Sequence, residues 1–159
     1  MEITVRPYRD EDRERLKEIT IAAFSLGASI DRRIEERFGV PNGVDWAARK
    51  RQAIDADCDA HPYGTLVAEA ADGTVVGYIT TRLNHDSRLG WIPNLAIEPA
   101  CQGTGVGRRL LRAALDYLRD AGMTHAKIET LASNERGQAL YPSAGFVEVA
   151  RQIHYVCEL

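Results

Sequence analysis

Seven residues in the second half of the chain form a glycine-rich turn whose backbone suits the binding of a phosphate. The turn reads Gln102-Gly103-Thr104-Gly105-Val106-Gly107-Arg108 and lies between an apolar run and an amphipathic stretch, as in a turn from a strand to a helix. The first N–H groups of a helix lack partners within it, and the helix dipole adds partial positive charge there. Glycine allows a ligand to approach where a Cβ would collide. The sequence therefore predicts a site for an anion such as a pyrophosphate.

Two nucleotide-binding motifs do not match this turn. A P-loop ends in Gly-Lys-Ser/Thr, whereas this turn continues as Gly107-Arg108-Arg109. A dinucleotide-binding turn needs glycine at the sixth position counted from Gly103, and Arg108 occupies that position. A turn that is rich in glycine only because it packs tightly stays an alternative.

The cysteines predict neither a metal site nor a nucleophile. Cys58, Cys101 and Cys157 are far apart, and no Cys-x-x-Cys or Cys/His cluster occurs. Cys101 stands beside the glycine turn, but no histidine lies near it in the sequence to activate its thiol. We therefore expect no metal and no covalent acyl-cysteine, and we interpret the cysteines as small residues of a reducing cytoplasm.

Hydrophobic periodicity predicts the elements that position the turn. The predicted strands are 3–8, 65–70, 74–83, 91–97, 124–131, 146–149 and 153–156. The predicted helices are 13–24, 28–38, a weakly amphipathic 46–57, one that begins at Val106 and stops at Gly122, and one that Asn134 caps and Pro142 ends. The main order, β-α-α-β-β-β-α-β-α-β-β, indicates one α/β sheet of mixed direction.

One predicted strand has a break within it. Pro93 stands in the middle of the apolar run 91–97 and has no N–H to donate to a neighbouring strand. We therefore expect a bulge or an unpaired edge at this point.

Length and composition limit the class of protein. The chain has 159 residues, which suggests one domain. A formal charge of −3 argues against a non-specific nucleic-acid binder, which needs a basic face. No apolar run approaches the ~18 residues of a membrane span. The N-terminal residues become polar before a signal-peptide core could form, so we expect a cytoplasmic protein without a membrane partner.

Two motifs in the second half resemble those of a known family. Gln102-x-x-Gly105-x-Gly107 resembles the Q/R-x-x-G-x-G/A signature by which the GNAT superfamily of acyl-CoA N-acyltransferases holds coenzyme A. The segment Leu95-Ala96-Ile97-Glu98-Pro99 is similar to the strand and proline that precede this loop in the family. Asn134, Ala139-Leu140-Tyr141 and Gly145-Phe146 resemble its later N…A-L-Y…G-F pattern, at the usual distance.

The resemblance covers residues 65–149 and implies a GNAT-like fold, α/β (an α+β mixed sheet), in a single N-acetyltransferase domain over 1–159. In this fold the fourth and fifth strands part, and the pantetheine arm of acetyl-CoA pairs with the exposed edge of the fourth. Pro93 is consistent with that break, and the backbones of Leu95 and Ile97 would meet the pantetheine amides. The implied cofactor-binding residues are Leu95, Ala96, Ile97, Gln102, Gly103, Thr104, Gly105, Val106, Gly107, Arg108 and Asn134.

The resemblance also implies an acid and a base. An amine with a pKa of about 10.4 is mostly protonated at pH 7, so transfer needs a group that accepts its proton. Tyr141 matches the family tyrosine that protonates the departing sulfur. Many relatives carry a glutamate on the fourth strand, but residues 91–97 contain no carboxylate. Glu129 on the next strand and His85 in the preceding loop are the candidates for the base, and we select Glu129 with Tyr141 as the catalytic pair.

Two functions follow from the resemblance. The first is an N-acetyltransferase that moves the acetyl group of acetyl-CoA to a primary amine by direct transfer in a ternary complex. The acceptor would be a small molecule or a peptide, and a homodimer is compatible with the family. The second is an acyl-CoA-binding regulatory module without catalysis, which the missing carboxylate in the fourth strand motivates.

Overall fold

Strands in the middle of the chain are apolar on both faces, and helices cover both faces of the sheet that they form. The computed structural model of the chain describes residues 2–27 and 29–159. Its strands are β1 (Ile3–Pro7), β2 (Leu66–Ala70), β3 (Val75–Ile79), β4 (Arg82–Asn84), β5 (Leu89–Ile92), β6 (Leu95–Ile97) and β7 (His125–Ile128). Its helices are α1 (Arg13–Phe24), α2 (Ile30–Phe38), α3 (Trp46–Ala60), α4 (Val106–Asp120) and α5 (Glu135–Ser143).

The strands of the described residues form two adjoining sheets. One has the order β1-β2-β3-β6 and the other the order β4-β5-β7. β5 and β7 run parallel, whereas the other neighbouring strands run antiparallel. The predicted α/β fold with strands of mixed direction is therefore confirmed. The expectation of one sheet is wrong, because a break in two of the predicted strands divides them between two sheets.

Two apolar cores separate the sheets from the helices. On one face, α4 contributes buried Leu110, Leu111 and Leu118, and the half-buried side chains of α5 pack onto the same core. On the other face, Leu16 of α1 and Ile54 of α3 pack against the central strands. The result is a layer of strands between two layers of helices, which is the arrangement that a sheet with two apolar faces requires.

Most predicted elements are present with small changes in their ends. Helix α3, the weakly amphipathic stretch, begins at the predicted cap, where the Asp45 carboxylate accepts a hydrogen bond of 2.7 Å from the N–H of Ala48. Pro142 lies within the last turn of α5, which ends one residue later. The predicted start of α2 at residue 28 lies outside the described residues.

The predicted strand 74–83 is divided, and so is the strand 91–97. The ladder of β3 with β6 and the ladder of β4 with β5 are separated where Thr80-Thr81 faces Pro93-Asn94. The expectation of a break at Pro93 is therefore confirmed. Beyond this point, β6 continues the sheet of β3, while β5 pairs with β7. Strands β6 and β7 therefore diverge, and we call this divergence the parting.

Helix α3 holds the break with buried polar contacts. The N–H of Asn94 donates to Thr80 Oγ1 at 3.1 Å, and its side-chain amide donates to Asp57 Oδ2 at 2.5 Å. Arg82 Nη2 donates to the other oxygen of Asp57 at 2.6 Å. The Asp57 carboxylate thus joins side chains on both sides of the break, while Thr80 bonds the backbone N–H and carbonyl of Asn94.

The prediction of closing strands at 146–149 and 153–156 is wrong. Residues 147–159, which we call the C-terminal arm, form no strand. Val147, Val149, Ile153 and Tyr155 of the arm are each at least 75% exposed. Alternation of apolar side chains marks one side of a strand, but a strand also needs a neighbour whose backbone pairs with it. The arm has no such neighbour in the described part of the chain.

Among the helices of the described residues, none is long and apolar enough to cross a membrane.

We predict that Asp57→Ala lowers the free energy of unfolding by about 2–3 kcal/mol, because Arg82 and Asn94 both lose their acceptor in a partly buried place. Urea unfolding followed by circular dichroism measures this loss. The control is Asp116→Ala, which removes an ion pair with Arg119 whose side chains are 59% and 69% exposed and should leave the stability nearly unchanged. Equal stability of the Asp57→Ala variant and the wild type would contradict the assignment.

Candidate active site

The predicted glycine turn lies at the start of α4. Gly103 and Gly105 have φ angles of +80° and +91°, which favour glycine, and nothing lies within 4 Å of a Cβ built at either position. Thr104 Oγ1 donates to the carbonyl of Cys101 at 2.6 Å, and Gln102 Nε2 donates to the carbonyl of Ile97 at 3.1 Å. The side chains of Gln102 and Thr104 therefore hold the turn in place, and the space beside Gly103 and Gly105 is open.

Gly107 joins the turn to two other elements. A Cβ at this position would lie 3.2 Å from Ile97 Cδ1 and 3.4 Å from Leu140 Cδ2. The first turn of α4 thus packs tightly on β6 and α5, so close packing accounts for this glycine, whereas the positive φ angles account for Gly103 and Gly105.

Strand β6 has one backbone edge towards the parting. Asn94 O accepts from the N–H of Thr80 at 3.0 Å, and the N–H of Glu98 donates to Val76 O at 2.8 Å, both towards β3. Because backbone groups alternate in direction along a strand, those of Leu95 and Ile97 point the other way. Ala96 of β6 is buried in the core beside α1 and α3, and Val106 at the start of α4 is buried in the core beside α4. The cleft between β6 and β7 is consequently bordered by unpaired backbone groups of β6, apart from the Ile97 carbonyl that Gln102 engages.

Tyr141 on α5 lies near the end of β7. Its ring meets Phe146 edge-to-face, with centroids 6.1 Å apart. A Cβ at Gly137 would lie 3.1 Å from Tyr141 Cε2 and 3.2 Å from Thr130 Oγ1, so the ring and the residue after Glu129 approach the same point. Burial raises the pKa of Tyr141 to about 12, so the phenol keeps its proton at neutral pH.

Asn134 connects α5 to the strand that precedes it. Its side-chain oxygen accepts from the N–H of Gly137 at 3.2 Å and caps the helix as predicted. Its amide nitrogen donates to Thr130 Oγ1 at 2.8 Å. Through these bonds Asn134 fixes the end of the helix that carries Tyr141.

Glu129 and His85, the two candidates for the base, lie at opposite ends of the second sheet. Glu129 follows the last residue of β7, beside the parting, and its carboxylate accepts from Trp91 Nε1 at 2.7 Å and from Lys127 Nζ at 2.9 Å. His85 is exposed in the loop before β5, whose other end reaches Pro93. The length of β5 therefore separates His85 from the parting, whereas Glu129 is next to it.

The remaining candidates near the turn have structural contacts. Cys101 is half-buried and packs on the core beside α4. Arg108 Nη2 lies 3.4 Å from Ser143 Oγ and is exposed, whereas Arg109 donates to the carbonyl of Ile3 at 3.1 Å. Arg108 is therefore the arginine of this turn that stays near α5. Within the described residues there is no group of three His, Cys, Asp or Glu side chains that could hold a metal ion.

Helices α1 and α3 cover the face of the sheet opposite α4, and α2 packs on α3. Arg33 Nη2 donates to Ser133 Oγ at 2.9 Å, which connects α2 to the segment after Glu129. Arg49 Nη1 of α3 contacts Glu35 Oε1 of α2 at 3.0 Å. These contacts place α2 beside the segment that follows β7.

Sequence reasoning did not single out several of these residues. Trp91, Lys127, Arg33 and Asp57 are scattered along the chain, and their contacts depend on which strands and helices are neighbours. The sequence offers one signal: Lys127 and Glu129 are two positions apart, so alternation places them on the same face. Trp91 joins them only through the pairing of β5 with β7.

Comparison with known proteins identifies the family. The model of the Acetyltransferase (GNAT) family matches residues 30–146. The chain is 31% identical over 153 residues to a mycothiol acetyltransferase of Stackebrandtia nassauensis, an alignment that covers 92% of this chain and 50% of the relative. It is 37% identical over 103 residues to the N-alpha-acetyltransferase RimI of Mycobacterium tuberculosis, covering 60% of each protein. The chain spans about half the length of the mycothiol acetyltransferases that it matches.

A solved structure of a protein of this family is similar to this chain. The structure of a GNAT family acetyltransferase from Brucella melitensis in complex with acetyl-CoA has a TM-score of 0.61 and 26% sequence identity, covering 86% of this chain and 81% of that chain. The region matched by the family model contains the glycine turn, the parted strands and Tyr141. The chain belongs to the acetyltransferase (GNAT) family.

Proposed function

We propose that residues 1–159 act as one acetyltransferase domain that transfers an acetyl group from acetyl-CoA to a primary amine. The parting of β6 from β7 beside an open glycine turn is the observation that carries this proposal. It supports a site in which one extended ligand meets both a strand edge and a helix N-terminus. When bound, acetyl-CoA would supply an acetyl group activated as a thioester.

The residues beside the cleft suit the parts of this cosubstrate. The unpaired N–H groups of residues 103–108 would hold the pyrophosphate, aided by the dipole of α4. Backbone groups of Leu95 and Ile97 would bind the amides of the pantetheine arm. Arg108 would meet a phosphate, and Gln102 would keep the turn oriented through its bond to β6. Asn134 would contribute through the cap that fixes α5.

Glu129 and Tyr141 would divide the proton transfers between them. The Glu129 carboxylate would accept the proton that leaves the amine nitrogen as the nitrogen–carbon bond forms. The Tyr141 hydroxyl would donate a proton to the sulfur as the carbon–sulfur bond breaks. A buried phenol with a raised pKa remains protonated and available for this donation. No covalent enzyme intermediate is required, in keeping with direct transfer in a ternary complex.

The acceptor is proposed by class. The relatives are named for mycothiol, an aminoglycoside and protein N-alpha positions. We infer an acceptor amine on a small molecule or a peptide, entering at the end of β7 beside α2, whose Arg33 donates to Ser133. The alternative of a regulatory module without catalysis rests on the lack of a carboxylate in residues 91–97, and Glu129 beside the parting supplies one from the neighbouring strand.

We also propose that two copies of the chain associate through the C-terminal arm. Val147, Val149, Ile153 and Tyr155 expose a row of apolar side chains that Arg151 interrupts, and β7 is an edge strand in the described sheet. An exposed edge and an exposed apolar row both favour pairing with another chain. A two-fold arrangement would let each arm cover the β7 edge of the other copy.

We predict that Gly105→Glu weakens acetyl-CoA binding by at least about 100-fold, because it places a carboxylate where the pyrophosphate would lie and strains a backbone with φ of +91°. Isothermal titration calorimetry measures the affinity. Gly73→Glu is the matched control, since Gly73 has a φ of +85°, faces open space and lies in the distant β2–β3 turn. Unchanged binding by the Gly105→Glu variant would reject the placement of the pyrophosphate.

We predict that Tyr141→Phe lowers kcat by about 100-fold or more while the KM for acetyl-CoA changes little, because the ring stays packed and only the proton donor is lost. Release of free thiol from acetyl-CoA across a panel of amines and peptides provides the assay. Tyr63→Phe, at a side chain that is 83% exposed, should behave as the wild type. Acetyl-CoA binding without thiol release by the wild type would instead support the regulatory module.

We predict that the protein is a dimer in light scattering at micromolar concentration, and that Val149→Lys with Ile153→Lys makes it monomeric by charging the apolar row. The control pair is Ala150→Lys with Gln152→Lys, which adds the same charge on the other side of the arm. A monomeric wild type would contradict association of two copies through the C-terminal arm.

A further inference from the structure

Three side chains at the end of the second sheet share the face that lies away from α4. Trp91 and Lys127 are direct partners in the parallel ladder of β5 with β7, and Glu129 follows Lys127 by two residues. Ala126 and Ile128, on either side of Lys127, point to the core beside α4. Because side chains alternate along a strand, Lys127 and Glu129 belong to the opposite face, where both are exposed.

The three groups close a triangle of contacts. Trp91 Nε1 donates to Glu129 Oε2 at 2.7 Å, and Lys127 Nζ contacts Glu129 Oε1 at 2.9 Å. The same ammonium lies 5.0 Å from the centroid of the Trp91 ring. Each carboxylate oxygen thus has one fixed donor and keeps a lone pair that a further N–H can use.

These contacts are too exposed to contribute much to folding. The Lys127 and Glu129 side chains are 49% and 56% exposed, and Trp91 is 37% exposed. Ion pairs and hydrogen bonds in such positions are worth little to stability, because water competes for each group. Their effect is on geometry: a glutamate with three free torsions would otherwise sample many positions in water.

We infer that Trp91 is a positioning residue for Glu129, an inference that rests on the proposed acetyl transfer. Trp91 is the last residue but one of β5, next to the break. Its backbone is held in the β5–β7 ladder, and its other ladder partner, Arg82, is bonded to Asp57. The indole N–H fixes one carboxylate oxygen beside the parting and leaves a lone pair on each oxygen for a further donor. Lys127, on a longer and more flexible chain, supports the same carboxylate but does not determine its direction.

Trp91→Phe tests this role, because it keeps an aromatic ring beneath Lys127 and removes the N–H. We expect kcat to fall about 10- to 100-fold, the KM for acetyl-CoA to stay unchanged and the thermal midpoint to move little. Tyr63→Phe is the control, since Tyr63 lies in the turn before β2 and its side chain is 83% exposed.

A double-variant cycle separates positioning from an independent effect. If Trp91 acts through the carboxylate, Trp91→Phe has no further effect on kcat in a Glu129→Gln background, whereas independent effects multiply. Unchanged kcat in Trp91→Phe, or losses that multiply in the double variant, would overturn the inference. A wild type that releases no thiol with any amine would reject the proposed function instead.

A second measurement does not depend on activity. In ¹⁵N-labelled protein, the indole N–H resonance of Trp91 should shift on Glu129→Gln, while that of Trp46 should not. Identical Trp91 resonances in the two proteins would show that the hydrogen bond is absent and would also overturn the inference.

Discussion

The interruption of one strand at Pro93-Asn94 is the constraint on which the rest of the structure depends. A proline cannot donate to a ladder, so β5 and β6 cannot form one continuous strand between the same neighbours. The two halves therefore follow different partners, with β5 beside β7 and β6 beside β3. Their divergence leaves backbone groups of β6 unpaired, and it does so next to the glycine turn. A continuous strand in this place would have consumed the hydrogen bonds that a ligand needs.

Such a break is costly unless its polar groups find other partners. Thr80 bonds the backbone of Asn94, and α3 binds two side chains beside the break. Asp57 accepts from both Asn94 and Arg82, so a single carboxylate bridges the two halves of the interrupted sheet. The same contact joins α3 to the sheet, and α3 in turn is bonded to α2 through Arg49. One carboxylate of the first half of the chain is therefore bonded to the break in the second half, and the helix that carries it also holds α2.

Local signals predicted the parts of the site that depend on neighbours in the sequence. The left-handed glycines 103 and 105, the break at Pro93 and the cap at Asn134 each need only a few adjacent residues, so their patterns are informative. The bonds of Asp57 to Asn94 and of Trp91 to Glu129 join residues 37 and 38 positions apart, and they follow from strand register and helix placement. The closing strands failed for a related reason: alternation marks the apolar side of the C-terminal arm but does not supply a partner.

Tyr141 and Glu129 lie in different surroundings, which suit the proposed roles of acid and base. The phenol is enclosed by the core beside α4 and by Phe146, and that burial keeps it protonated. The carboxylate stands on the opposite face, open to water and to an incoming amine, with its direction held by donors from its own sheet. Gly137 and Thr130 bring α5 against the segment that follows β7, so Tyr141 and Glu129 approach the same end of that strand from opposite faces of the sheet. In the proposed reaction, the buried phenol would keep its proton for the sulfur, and the exposed carboxylate would receive the proton of the amine.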